Sequence, residues 1–272
     1  MQIIVVLGRV LDPSGIVVKG KAGRIFVNRE EYILQPADRC ALEAALRIKD
    51  ATGAEVTALP RGPLPDDDVL RQALATGADR AIYLVGQVAN LPYIGDAVMA
   101  RVLAAAVERL GGADLVLTGA TTLDTGQGQL GPRLAEALGW PQIVGAWQVE
   151  AIDGKAQAVL RDRTEYVAVE ADLPAVVTML SGSLKLRYPD GIRLINIYKG
   201  VGEIAEGLEQ WDVADLSTEL KAGLVDAEAL KPILEKRGRD FPPERERGVR
   251  LEGRPAEMAQ ALADALRQRV RR

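Results

Sequence analysis

The sequence predicts an α/β protein built on a doubly wound, mostly parallel sheet, with an added β segment and a C-terminal arm. Three observations carry that prediction. Between Ile3 and Gly139, short apolar runs alternate strictly with helical patterns, as βαβ units require. The first of these runs is continuously apolar, which suits a strand covered on both faces. The segments that leave three of the strands, Gly8–Gly15, Pro60–Pro65 and Gly119–Gly131, are rich in Gly or Pro. In such sheets ligands lie beyond the carboxyl ends of the strands, where the strand order reverses.

In chain order, Ile3–Leu7 is the first strand, and Ile16–Lys19 with Arg24–Val27 suggests a hairpin around KGKAG. Pro36 opens a helix whose Ala41, Leu42, Ala45, Leu46 and Ile48 keep helical spacing to about Ala51, and Gly53 closes it. Glu55–Leu59 is the next strand. Asp66–Asp68 are placed to cap a helix through Leu70, Ala73 and Leu74 to Gly77. Arg80–Val85 is a strand and about Ile94–Leu110 a longer helix. Leu115–Leu117 then runs through the Gly-rich loop into a helix with Pro132 in its first turn, Leu134, Ala135 and Leu138 on one face, and Gly139 at its stop.

After Gln142 the texture turns to β. Val144–Ile152, Ala156–Arg161, Tyr166–Val169 and Ala175–Met179 read as strands that extend or flank the sheet, with Asp153-Gly154 as a hairpin turn. From Leu184 the regularity fades. SGSLKLRYPDGIRLINIYKG reads as an exposed, partly ordered loop, Asp212–Leu234 as short helical fragments, and Lys236–Arg254 as a charged stretch that could not fold alone. Pro255–Val270 is a final helix with Met258, Leu262, Ala265 and Leu266 on one face. An arm with so little core of its own must lie on its own domain or on a partner subunit, and the partner is favoured.

Composition excludes several chemistries. The chain of 272 residues contains no histidine, which removes imidazole acid–base catalysis, Ser–His and Cys–His nucleophiles and imidazole metal sites. Its single cysteine, Cys40, allows no intrachain disulfide and lies among Ala and Leu as a small buried residue. A net charge of −4 gives no electrostatic reason to expect nucleic acid. Ile3–Leu7 lacks a basic flank, so it reads as a strand rather than a signal peptide, and no run is long enough to span a membrane. A cytoplasmic protein without direct membrane insertion is expected.

The most informative stretch is DLVLTGATTLDTGQGQLGPRLAEALGWPQ, Asp114–Gln142. A strand passes through a Gly-rich loop into a helix N-terminus, so free backbone N–H groups and the positive end of the helix dipole face the loop. Gly126, Gly128 and Gly131 allow close approach of a phosphate, while Thr121, Thr122, Thr125, Gln127 and Gln129 offer neutral hydrogen bonds. An ordinary βα loop that needs glycines for its turn is the plainer account. Three such loops on one crevice favour a nucleotide-like ligand, although neither the dinucleotide fingerprint nor a Walker A lysine loop is present.

Several motifs, taken in order, resemble the β subunit of electron transfer flavoproteins. They are ALEAALRIKD after Gln35-Pro36, GADRAIYL (Gly77–Leu84), DTGQGQLGPRLAEALGWPQ (Asp124–Gln142), LPAVVT (Leu173–Thr178) and RYP (Arg187–Pro189). The resemblance implies an adenine-nucleotide-binding, Rossmann-like domain over 1–183, a partner-docking loop over 184–200, and an arm over 201–272 packing on a partner subunit. It implies a heterodimer with an α subunit carrying FAD, while this subunit holds AMP or, in electron-bifurcating forms that oxidise NADH, a second FAD. Electrons would pass between a flavin dehydrogenase and a quinone-linked or ferredoxin/NADH-linked acceptor.

Carried onto this chain, the resemblance draws nucleotide contacts from Val6, Gly8, Arg9, Asp12 and Gln35, and from Arg61 and Gly62 in the Arg61–Pro63 turn. The third set is Ala120, Thr121, Thr122, Asp124, Thr125, Gly126, Gln127, Gly128, Gln129, Leu130 and Gly131. Phosphate would meet the N–H groups of Gln127–Gly131. Arg187, Tyr188, Gly191 and Ile192 would dock the dehydrogenase. Departures from the family pattern are Gln35 in place of Asn, Gln127 in place of Thr, no leucine anchor in PDGIRLI, and Val10-Leu11-Asp12-Pro13 where bifurcating forms read Val-Pro-Asp-Thr. Two other readings compete: a free-standing nucleotide-binding regulatory protein of the universal-stress type, and a hydrolase with Asp124 as base, a residue more simply a turn former or ribose contact.

Overall fold

The computed structural model describes residues 1–19, 24–62, 67–86, 95–216, 248 and 250–270. The tip of the KGKAG hairpin, Pro63, Asp66, the start of the helix expected at Ile94, the fragments expected from residue 217 onward and most of Lys236–Arg254 lie outside the described residues.

The strands are β1 (Gln2–Leu7), β2 (Arg9–Leu11), β3 (Ile16–Lys19), β4 (Arg24–Val27), β5 (Tyr32–Leu34), β6 (Glu55–Pro60), β7 (Arg80–Val85), β8 (Leu115–Gly119), β9 (Gln142–Ile152), β10 (Lys155–Asp162), β11 (Glu165–Asp172), β12 (Ala175–Met179) and β13 (Leu208–Asp212). The helices are α1 (Pro36–Thr52), α2 (Asp68–Thr76), α3 (Asp96–Arg109), α4 (Leu130–Leu138), α5 (Gly191–Lys199), α6 (Glu203–Glu206) and α7 (Pro255–Val270). Nine strands form one sheet in the order β11-β10-β9-β12-β8-β1-β6-β7-β13. Pairing is parallel from β9 to β13 and antiparallel across β9-β10-β11, so the mostly parallel, doubly wound sheet is as expected.

The continuous apolar runs follow from burial on both faces. Ile3, Val5 and Leu7 of β1 join one core with α1 and α2, while Ile4 and Val6 join a second core with α3 and α4. Leu115 and Leu117 divide from Val116 in the same way. A side chain every second residue on each face is what strand geometry imposes.

Two expectations are corrected. The segment read as a partly ordered loop contains α5, capped by Asp190, whose side chain accepts the Arg193 N–H at 2.8 Å. Arg193 then donates to the carbonyls of Leu74 and Ala78. Docking on the end of α2 supplies order that the sequence pattern does not advertise. Leu208–Asp212, expected to belong to the arm over 201–272, is instead an edge strand of the main sheet, paired in parallel register with Ala81–Val85 of β7. The described residues up to 216, apart from Lys19 and Arg24, belong to one compact unit, and α7 belongs to a second. Among the described residues no helix is long and apolar enough to cross a membrane.

Candidate functional site

The strand order reverses between β1 and β8: successive crossovers lead from β1 to β6 and β7 on one side, and β8 and β12 lie on the other. The crevice beyond the carboxyl ends of β1, β6 and β8 is therefore the expected ligand position. Gly8, Arg61 and Gly119 stand at those three ends.

Asp38, in the first turn of α1, ties the three ends together. Its carboxylate is fully buried and accepts the N–H of Gly8 and the N–H of Gly119, each at 2.9 Å. It also accepts Nε and Nη2 of Arg61, each at 3.2 Å. All four partners are donors, the pattern that suits an ionised carboxylate. Burial pushes the carboxyl up from its ordinary value, against the pull of the Arg61 guanidinium and the two N–H groups. Arg61 is fixed further by Thr118 Oγ1 at 2.9 Å and the Gly119 carbonyl at 2.6 Å. A Cβ on Gly119 would stand 2.3 Å from Asp38 Oδ1, so only glycine admits this arrangement.

Sequence reasoning missed Asp38 and Thr118. One signal for Asp38 was present: an acid in the first turn of a helix whose other positions near it are apolar. What it bonds to is set by packing.

Gln35 joins the same cluster. It is buried, its N–H donates to the Gly8 carbonyl at 2.8 Å, and its Oε1 accepts the Leu123 N–H at 3.1 Å. The Gly-rich loop is thus pinned to the start of α1. Within that loop the Thr122 and Thr125 hydroxyls lie 2.7 Å apart, Thr122 Oγ1 accepts the Gln127 N–H at 3.2 Å, and Asp124 accepts the Thr125 N–H at 2.8 Å. Ala120 is anchored through its N–H to the Met179 carbonyl at 2.8 Å, and Thr121 is exposed beside it. The helix begins at Leu130, one residue before the expected start. The N–H groups of Gly128, Gln129, Leu130 and Gly131 donate to no acceptor among the described residues. Four consecutive free donors at a helix N-terminus suit an anion.

The other expected contacts divide. The side chains of Val6 and Leu130 are buried in the second core, so only their backbones remain for the crevice. Asp12 caps the turn Pro13–Gly15 by accepting the Ser14 N–H at 2.8 Å, and this bond holds its carboxyl below the usual range. Arg9 stacks over the Tyr32 ring at 4.1 Å. Gly62 leaves open space where a side chain would be.

Among the docking residues, Arg187 is committed to the fold. Its guanidinium meets Glu43 at 3.1 Å and Asp50 at 2.8 Å, and its N–H donates to Glu43 at 3.0 Å. Gly191 is the first residue of α5. Tyr188 is 85% and Ile192 72% exposed, and Ile195, Tyr198 and Val201 are exposed near them in the chain. Exposed apolar side chains that adjoin one another are what an interaction surface uses.

The family profile described as "Electron transfer flavoprotein domain" matches residues 24–207. The chain is similar to "Electron transfer flavoprotein subunit beta" of Bacillus subtilis (strain 168), 30% identical over 98% of this chain and 98% of that protein. It is similar to "Protein FixA" of Sinorhizobium fredii, 33% identical over 69% of this chain and 67% of that protein. It is also similar to "Acryloyl-CoA reductase electron transfer subunit gamma" of Anaerotignum propionicum, 29% identical over 99% of both. These matches favour electron transfer over a free-standing regulatory protein.

Proposed function

The chain belongs to the electron transfer flavoprotein family, and from that premise we propose that it is a β-type subunit that holds an adenine nucleotide and pairs with a FAD-bearing α subunit. The observation that carries the nucleotide assignment is the row of free N–H groups from Gly128 to Gly131, at the switch point of the sheet and directly after a Gly/Thr/Gln loop.

The residues fit such a group. Gly128 lies so close to the Ala120 carbonyl that a Cβ would approach it to 2.6 Å, so the loop is folded tightly against the end of β8. Asp38 and Arg61 hold the floor of the crevice, with Arg61 Nε and Nη2 engaged by protein acceptors. The phosphate would lie on the start of α4, with the adenosine between the loops after β1 and β8. AMP and the AMP half of FAD make the same demand on this site. A bound flavin supplies the redox chemistry; this chain binds, orients and shields. The exposed face of Tyr188, Ile192 and Ile195 supports docking of a flavin dehydrogenase, with a second redox protein as acceptor.

The deciding experiment is purification with the α partner, denaturation, and a count of the released nucleotides. One FAD with one AMP is the outcome for a simple electron shuttle. Two FAD per complex assigns the second to the Gly119–Gly131 crevice and makes NADH-linked bifurcation the working mechanism. Absence of any adenine nucleotide beyond the partner's FAD overturns the nucleotide assignment.

A further inference from the structure

A cavity of about 370 Å³ lies between the β2–β5 ribbon, the first turn of α1, one face of α2 and residues 185–189. Of the residues assigned above to the nucleotide crevice, it shares only Arg9. Its lining carries four cations, Arg9, Arg39, Lys185 and Arg187, against one acid, Asp68. Arg187 is neutralised by Glu43 and Asp50. Arg39 and Lys185 have no acidic partner among the described residues, and the Lys185 ammonium stands 5.8 Å from the Tyr188 ring. Leu34, Val69 and Leu186 give the cavity an apolar wall, and Gln72 adds an uncharged polar group.

This is an excess of positive charge in a concavity, on a protein whose net charge is −4. A concave, low-dielectric wall focuses such a field on a counter-ion. The size and the mixture of apolar wall with a few polar groups are those of a small-molecule site. Two unpaired cations balance a dianion, and a guanidinium fork beside a point-charge ammonium is a donor set suited to phosphate. We propose that this cavity binds a small phosphate-bearing molecule, its phosphate met by Arg39 and Lys185 and its body resting on Leu34 and Leu186. The inference does not depend on the nucleotide crevice.

The test uses the full-length chain with its α partner, loaded with one equivalent of AMP so that the crevice is filled and no free AMP competes for the cavity, and titrates inorganic pyrophosphate calorimetrically. Saturable binding is expected, weakened at least about tenfold in Arg39→Gln/Lys185→Gln. Both replaced side chains are exposed, so the variant should fold and bind AMP as before. A control, Arg101→Gln/Arg109→Gln on α3, should bind pyrophosphate like the parent. No saturable binding, or equal weakening in the control, overturns the proposal.

Discussion

Asp38 and Arg61 form a closed pair beneath the crevice, with Nε to Oδ2 and Nη2 to Oδ1 both at 3.2 Å and the carboxylate fully buried. The pair belongs to α1 and the loop after β6, yet its remaining bonds go to the ends of β1 and β8. One carboxylate thereby sets the relative positions of all three loops.

Replacing that carboxylate strands a guanidinium and two N–H groups. Asp38→Ala is expected to cost about 3–5 kcal/mol, the usual result of removing one partner of a buried ion pair. Urea unfolding measures the loss, and AMP titration should show weaker binding in whatever remains folded. Asp38→Asn keeps the shape and should recover part of the stability. A cost below about 1 kcal/mol for the alanine variant would contradict the bracing role.

Glu43 predicts an acid limit. Burial is the largest influence on its carboxyl and raises it, but the bonds from Arg187 and Arg47 together outweigh burial and hold it below its ordinary value of 4.5. A depressed folded-state value means stability that is fully present above 4.5 and is lost as pH falls through the lower folded value. Thermal midpoints of the parent and Glu43→Gln should therefore differ at neutral pH and converge in acid below that point. A gap that persists unchanged into strong acid would show that the charge of Glu43 contributes nothing.

Two glycines of the nucleotide loop should respond to alanine for different reasons. At Gly131 a Cβ would stand 2.3 Å from Thr178 Cγ2 and 3.1 Å from Thr118 Cγ2, so α4 must move off the sheet at a cost of about 1–3 kcal/mol. At Gly126 nothing lies within 4 Å, and the penalty is the left-handed backbone at φ 67°, about 1 kcal/mol. Thermal unfolding should rank Gly131→Ala as the more damaging, and nucleotide affinity should fall with it.

The exposed face near α5 separates docking from folding. Ile192→Asp and Tyr188→Ala alter side chains that are 72% and 85% exposed, so stability should stay within about 0.5 kcal/mol of the parent. Nucleotide content should be unchanged as well. Electron transfer from a partner dehydrogenase, followed by stopped-flow, should slow at least tenfold at limiting concentrations, an effect of about 1.4 kcal/mol. A parent-like rate in both variants would place docking elsewhere.

The alternation of elements was legible because both periods are local. Ile3–Leu7, the helix from Pro36 and the helix around Leu134 and Ala135 each announce themselves within one short window. The Gly-rich loop was legible for the same reason. The short elements β2, β5 and α6 were not, nor were two larger ones. Gly191–Lys199 became α5 because Arg193 reaches the carbonyls of Leu74 and Ala78, more than a hundred residues back in the chain. Leu208–Asp212 is a strand because the edge of β7 is open to it, and five residues rich in charge carry little strand signal alone.

The sequence by itself determined the layers of this protein: the alternating strands and helices of the doubly wound sheet, and the Gly-rich loop that runs into a helix N-terminus. Periodicity and backbone sterics suffice for that. The tertiary structure alone decided that Asp38 is spent on Gly8, Gly119 and Arg61, that Arg187 braces Glu43 and Asp50, and that Arg39 and Lys185 line one cavity with no acidic partner of their own among the described residues. A titratable side chain has no local period that names its partner. Its partner is chosen by the strand order, which brings β1, β6 and β8 side by side from distant parts of the chain.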